Sequence, residues 1–127
     1  MIFSGWNCFY RGLMPGVTQM LAELAKSVRL IALTNTNPGH AAVWKKMFAD
    51  TLESFERIFC SHEISTRKPE AQSYQIALDY LGIEGARAVF VDDKIKNVKA
   101  AEAMGMKGIV AADTESTMEK LRNLGAI

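Results

Sequence analysis

Apolar residues follow two different spacings along this chain. Short continuous apolar runs alternate with longer stretches in which apolar residues recur every three or four positions. The runs are typical of strands buried on both faces, and the wider spacing is typical of amphipathic helices. The runs predict strands at residues 29–33, 58–60, 88–91 and 108–111. The wider spacing predicts helices at residues 17–26, 38–48, 69–81, 94–104 and 116–124.

Local signals support several of these boundaries. Asn37 followed by Pro38 is typical of a helix start, and Gly82 is typical of a helix end. Ser116 and Glu119 have the spacing of a capping box. Because strands alternate with helices, the sequence predicts an α/β fold, a three-layer sandwich with a parallel sheet and helices on both faces. The pattern indicates one domain over residues 1–127.

Composition narrows the class of protein. The chain has 127 residues, 49% of them hydrophobic, and a formal net charge of +1. We therefore expect no nucleic-acid partner and no membrane partner, since the charge is small and no apolar run reaches the length of about 20 residues that a membrane span needs. Two cysteines, Cys8 and Cys60, do not form a disulfide framework. We expect a cytoplasmic protein with reduced thiols.

Polar residues stand where predicted strands end. Thr34 and Asn35 follow the first strand, Lys68 follows the second strand and a loop, and Asp92 and Asp93 follow the third strand. Each group has an ordinary explanation, such as turn formation, a solvated lysine or helix capping. Since the carboxyl ends of parallel strands meet at one edge, the three groups also converge on one crevice. There, a hydroxyl and an ammonium are suited to a phosphate, and paired carboxylates are suited to Mg²⁺.

These residues resemble the motifs of the haloacid dehalogenase-like (HAD) hydrolase superfamily, which has a Rossmann-like core. With His40 and Tyr74, the resemblance extends from about Trp6 to the end of the chain and is greatest to sugar-phosphate phosphatases related to glucose-1-phosphate phosphatase.

The resemblance implies a phosphoric monoester hydrolase that acts on a phosphorylated small molecule. It implies that Thr34 and Asn35 bind the phosphoryl group and that Lys68 steadies this group and the nucleophile. It further implies that Asp92 and Asp93 hold Mg²⁺.

The sequence departs from this family at its start. The family's nucleophile lies in an Asp-x-Asp motif on the first strand, whereas no aspartate precedes Asp50 here, and the family's cap segment is also missing. We therefore expect a truncated core that is catalytically inactive as an isolated chain, because no aspartyl-phosphate can form, and that binds Mg²⁺ weakly or not at all. The alternative is a non-catalytic module that binds phosphate or self-associates.

The absent first strand also has a structural consequence. In the family this strand lies in the middle of the sheet, so its loss leaves a gap between the strands at 30–33 and 88–91. Residues 1–3 could fill the gap, the flanking strands could pair directly, or a second chain could cover the exposed backbone. We expect direct pairing or association, because residues 1–3 are short for a central strand. A homodimer that covers the sheet edge is the expected assembly.

Overall fold

The elements alternate along the chain as the apolar pattern predicts. A computed structural model describes the backbone of residues 2–3 and then residues 16–125, apart from the side chains of Val17 and Met47. The strands are β1 (Ile2–Phe3), β2 (Ile31–Thr34), β3 (Arg57–Cys60), β4 (Val89–Asp92) and β5 (Lys107–Val110). The helices are α1 (Val17–Ala25), α2 (Pro38–Met47), α3 (Ala49–Leu52), α4 (Ser61–Ile64), α5 (Ala71–Leu81), α6 (Ile95–Ala103) and α7 (Thr114–Asn123), with a 3₁₀ turn at Gly85–Arg87.

The five strands form one parallel sheet in the order β3-β2-β1-β4-β5. Ile2 pairs with Ile31 on one side and with Phe90 on the other. Because each crossover between parallel strands contains helices, both faces of the sheet are covered. The predicted α/β three-layer architecture is confirmed.

β1 occupies the central position that the sequence left open. Ile2 and Phe3 pair with both β2 and β4, so these flanking strands do not pair with each other. The expectation of direct pairing was therefore wrong, and the short segment at residues 2–3 fills the gap. Each of the two residues is in register with one residue of β2 and one of β4. The gap that motivated a homodimer is thus absent, and the dimer itself stays a prediction.

Alternate residues of the central strands pack on opposite faces of the sheet. Ala32 and Val91 join a core formed with α1, α2 and α7, whereas Leu33 and Phe90 join a core formed with α5 and α6. This period of two residues follows from the pleat of a strand. Trp44 is the largest fully buried side chain of the first core, where it packs between α2 and the sheet.

Most helix boundaries agree with the local signals, and one does not. The side chain of Asn37 accepts a hydrogen bond from the backbone of His40, and Gly82 ends α5 in the left-handed conformation with φ 67°. The predicted capping box at Ser116 and Glu119 was wrong. Asp113 caps α7 instead by accepting from the backbone of Ser116, so the helix begins at Thr114.

Across the described ranges, 2–3 and 16–125, none of the helices combines the length and the apolar character that a membrane span requires.

Candidate functional site

The site lies where β2 and β4 end, on either side of β1. Thr34 is the last residue of β2, and Asp92 is the last residue of β4. Lys68 comes from the loop between α4 and α5, and its Nζ lies 3.3 Å from Oδ2 of Asp92. The structure therefore brings the lysine and the first aspartate of the predicted set into contact, with Thr34 at the same edge of the sheet.

The carboxylate of Asp92 is buried and held by several donors. Its Oδ1 accepts from the backbone N–H of Lys94 at 2.9 Å. Its Oδ2 accepts from Nδ2 of Asn97 at 3.0 Å and from Nζ of Lys68 at 3.3 Å. Hydrogen bonds of this kind fix the plane of the carboxylate and compensate for its removal from water. Asp93 follows it and is half-buried at the start of α6.

Lys68 carries a charge in an enclosed position. Its side chain is 4% exposed, and burial lowers the pKa of its ammonium, while the carboxylate of Asp92 opposes that effect. A buried ammonium held by a single described carboxylate retains donors for a further partner, since it has three N–H groups. An anion entering this edge of the sheet would therefore meet a cation that solvent screens poorly.

Asn35 holds the backbone of Lys68 in place. Its Nδ2 donates to the carbonyl oxygen of Lys68 at 3.0 Å, and its Oδ1 accepts from the N–H of Lys68 at 2.9 Å. Both polar atoms of the side chain are therefore engaged with the loop. Asn35 was predicted to bind substrate. That prediction stays open, and the structure adds a positioning role that the sequence did not reveal.

A second residue fixes the same loop from its far end. Oε1 of Glu70 accepts from the backbone N–H of Arg67 at 2.9 Å and from Oγ1 of Thr66 at 3.4 Å. The peptide bond between Lys68 and Pro69 is cis. The loop that carries the lysine is thus tied to β2 on one side and closed by Glu70 on the other.

Two buried polar atoms at this edge have no hydrogen-bond partner among the described residues. They are Oγ1 of Thr34, whose residue is 1% exposed, and Oδ1 of Asn97, whose residue is 3% exposed. A buried hydroxyl without a partner costs free energy, so such groups usually meet a water, an ion or a ligand. The hydroxyl of Thr34 is therefore a candidate donor to a polar ligand at this edge of the sheet.

Asn97 and Tyr74 are two residues whose roles in the site the sequence did not predict. Asn97 donates to Asp92, and the hydroxyl of Tyr74 donates to the carbonyl oxygen of Asn97 at 2.8 Å. Burial raises the pKa of Tyr74, so its hydroxyl stays a donor. The signal in the sequence was a polar residue on the apolar face of α6, five positions after Asp92.

The predicted Mg²⁺ site is not complete among the described residues. Asp92 and Asp93 supply carboxylates, but both oxygens of Asp92 already accept hydrogen bonds from protein donors. No group of three or more carboxylate, imidazole or thiol side chains suited to a metal occurs within residues 2–3 and 16–125. Because Mg²⁺ requires near-octahedral oxygen coordination, these two carboxylates do not suffice alone.

The thiol of Cys60 is not activated as a nucleophile. Burial raises the pKa of the Cys60 thiol to about 11, so this residue at the end of β3 stays protonated. Thr34 supplies a hydroxyl, Lys68 an ammonium and Asp92 a carboxylate at the same edge of the sheet. Such a set of groups is suited to binding and orienting an anion.

Comparisons with known proteins identify the family of this chain. Residues 9–105 match the family model of the haloacid dehalogenase-like hydrolases. The sesquiterpene phosphatase astK of Aspergillus oryzae is 33% identical over 109 residues, which cover 85% of this chain and 55% of that protein. Hexitol phosphatase B of Escherichia coli is 26% identical, with 84% of this chain and 48% of that protein covered. The chain spans about half the length of the curated relatives it matches.

Solved structures share the same fold. An uncharacterised protein from Corynebacterium glutamicum has a TM-score of 0.74 at 23% identity, with 98% of this chain and 93% of that chain covered. A HAD family enzyme of Bacteroides thetaiotaomicron, in complex with magnesium and inorganic phosphate, has a TM-score of 0.65 at 26% identity. The match covers 75% of this chain and 50% of that enzyme. Because residues 9–105 match the family model, the chain belongs to the haloacid dehalogenase-like hydrolase family.

Proposed function

We propose that this chain forms the phosphoryl-binding part of a phosphatase-type hydrolase site and takes a small phosphorylated molecule as its ligand. The observation that carries the proposal is the buried ammonium of Lys68, 3.3 Å from Asp92, at the edge where the hydroxyl of Thr34 has no described partner. A cation and an unsatisfied hydroxyl in one enclosed place suit the oxygens of a phosphate.

The relatives support this choice of ligand. Two of them carry the names sesquiterpene phosphatase and hexitol phosphatase, and the Bacteroides enzyme was crystallised with magnesium and inorganic phosphate. A phosphate ester is the chemistry common to these proteins. The name hexitol phosphatase also agrees with the resemblance to sugar-phosphate phosphatases.

Each residue has a distinct task in the proposed site. The hydroxyl of Thr34 donates to a phosphoryl oxygen, and Lys68 neutralises the charge of the phosphate. Asn35 keeps Lys68 in position through its two backbone hydrogen bonds. Asp92 and Asp93 contribute to a Mg²⁺ site that would neutralise further phosphate charge, and this site needs ligands beyond these two carboxylates.

The proposal separates binding from turnover. The sequence has no aspartate before Asp50, so the carboxylate that would attack phosphorus is absent from the strand next to Thr34 and Asp92. Without it, no covalent phosphoryl-enzyme forms. We therefore expect the isolated chain to bind phosphate but not to hydrolyse phosphate esters.

Binding of inorganic phosphate, followed by amide chemical shifts, tests the first part. Lys68→Met removes the charge and keeps the length of the side chain, and we expect it to weaken binding about tenfold or more, since charge-assisted hydrogen bonds contribute about 1.5–3 kcal/mol. Thr34→Val should weaken binding by a smaller factor. Lys94→Met is the matched control, because its exposed side chain changes while its backbone bond to Asp92 is kept. Equal losses for Lys68→Met and Lys94→Met would refute the site.

Turnover tests the second part. With Mg²⁺ and p-nitrophenyl phosphate, we expect the rate to equal that of the Asp92→Asn variant, because the attacking carboxylate is absent. A rate that clearly exceeds that of Asp92→Asn would show that the chain itself contains a working nucleophile. That outcome would overturn the predicted inactivity but leave phosphate binding intact.

A further inference from the structure

A cavity lies at the opposite end of the strands from the candidate site. Its volume is about 370 Å³. Its lining combines an apolar wall with a cationic rim, and includes Leu81, Ile83, Val89, Arg29, Arg87 and Lys107. Cavities of this size hold small organic ligands in many proteins.

The position of this cavity separates it from the phosphoryl site. Val89 and Lys107 are the first residues of β4 and β5, and Arg29 precedes β2. Thr34 and Asp92 are the last residues of their strands. Since a strand of four residues spans about 13 Å, the two sites lie at opposite ends of the sheet and share no described lining residue.

The rim carries more positive charge than its surroundings neutralise. Nε and Nη2 of Arg29 donate to the two carboxylate oxygens of Glu56 at 2.8 and 2.9 Å, so this arginine is compensated. Arg87 and Lys107 have no carboxylate within ion-pair distance in the described part of the chain. None of the described lining residues is acidic. Two cations therefore face the cavity without a counter-ion from residues 16–125.

Hydrogen bonds and one close contact hold the backbone that presents these two cations. Arg87 ends the 3₁₀ turn, in which its N–H donates to the carbonyl oxygen of Glu84 at 3.0 Å. Gly85 packs so closely on the carbonyl oxygen of Met104 that no side-chain carbon fits between them. The N–H of Lys107 donates to Ala88 at 3.1 Å. The turn and the start of β5 are thus fixed side by side, which lowers the entropy cost of binding between them.

We propose that this cavity binds a small organic anion, with a carboxylate or phosphate group held between Arg87 and Lys107. The apolar body of the ligand lies on Leu81, Ile83 and Val89. A bare inorganic anion would leave this wall exposed to water, and a neutral apolar molecule would leave the two cations uncompensated. The inference does not depend on the proposed phosphatase site, because no residue is shared.

Titration of the ¹⁵N-labelled chain with benzoate, phenyl phosphate and benzyl alcohol tests the proposal. We expect benzoate and phenyl phosphate to shift the amides of Ile83, Val89 and Lys107, and benzyl alcohol to bind more weakly. Arg87→Gln and Lys107→Gln should each weaken benzoate binding about three- to fivefold, because each removes one exposed ion pair with the ligand. Raising the salt concentration should weaken the binding of both anions, because salt screens exposed charges. The tighter of the two anions identifies the preferred headgroup.

Two control variants separate this site from its alternatives. Lys46→Gln removes one charge from an exposed residue of α2 that does not line the cavity, and it should leave benzoate binding unchanged. Lys68→Met should weaken phosphate binding at the candidate site and leave benzoate binding at this cavity unchanged. The proposal fails if benzyl alcohol binds as tightly as benzoate. It also fails if Lys46→Gln weakens benzoate as much as Lys107→Gln, or if no saturable shift of these amides occurs at millimolar benzoate.

Discussion

Single residues around Asp92 form a chain of hydrogen bonds that leads from the site into the core. Tyr74 donates to the backbone of Asn97, and the side chain of Asn97 donates to Asp92. The ring of Tyr74 packs edge-on against Phe90, with centroids 5.2 Å apart. The sequence predicted Lys68 and Asp92 because motifs at strand ends point to an edge. It did not predict the partners of Asn35 and Asn97, because contacts between distant elements have no local periodicity.

Tyr74→Phe tests how much these hydrogen bonds contribute to the stability of the fold. The change removes a buried donor and leaves the carbonyl oxygen of Asn97 without that bond, so we expect a loss of about 1–2 kcal/mol in the free energy of unfolding. Tyr80→Phe is the matched control, because its hydroxyl donates to Glu56 at an exposed position. Urea unfolding of both variants measures the difference. An equal or larger loss for Tyr80→Phe would contradict a structural role for the Tyr74 hydroxyl.

Elements of ordinary length were predictable, and single-turn elements were not. The long helices and the strands β2 to β5 occur where the apolar spacing predicts them, with boundaries shifted by one or two residues at most ends. α3 and α4 have four residues each, which is too short for a 3.6-residue period to be visible. The start of α7 was missed because Asp113 and Ser116 are both good caps, and packing of the first turn decides between them.

Gly85→Ala tests the close contact between the 3₁₀ turn and the segment after α6. The added carbon would overlap the carbonyl oxygen of Met104, and backbone must move to relieve it. We expect a loss of about 1–3 kcal/mol in the free energy of unfolding.

Gly39→Ala is the matched control for this change. Gly39 lies in the first turn of α2, where the new carbon would be 3.5 Å from Oδ1 of Asn37, an ordinary contact. We expect no loss there, and a gain of up to about 1 kcal/mol, because alanine has fewer unfolded conformations than glycine. Similar losses at both glycines would argue against the close contact at Gly85.

At the scale of the whole molecule, the parallel sheet was predictable and its centre was not. Continuous apolar strands with helices between them require parallel pairing and two covered faces. The identity of the central strand depends on which long-range strand pairings form. A segment of two residues is too short for its apolar pattern to predict that outcome. With Ile2 and Phe3 in that place, self-association is no longer needed to repair the sheet. It remains a prediction for the solution mass.

A cluster around Glu56 joins distant parts of the chain and makes stability depend on pH. The hydrogen bond from Arg29, followed by that from Tyr80, lowers the pKa of Glu56 from 4.5 to about 2. A lowered pKa stabilises the fold when the group is ionised in both states, so this contribution is complete above about pH 5. It is lost as the pH falls through the interval from 4.5 to about 2.

The variant Glu56→Gln measures this contribution. We expect the difference in urea midpoint between the parent and this variant to shrink as the pH falls from about 5 to about 2. The same exchange at Glu119, an exposed residue of α7, is the control, and its difference from the parent should stay small. A constant difference for Glu56→Gln over this interval would show that the cluster does not hold the carboxylate ionised.

The central position of β1 has a consequence for the order of folding. Within the described sheet, β1 alone joins the pair β2–β3 to the pair β4–β5. Each pair forms across one nearby connection, whereas β1 must bridge partners that lie far apart in the chain, and loop closure becomes more costly with length. We therefore expect the β2–β3 and β4–β5 pairs to form early, and the pairing of Ile2 with Phe90, which lies much farther along the chain, to form late. Changes that weaken this strand should then speed unfolding more than they slow folding.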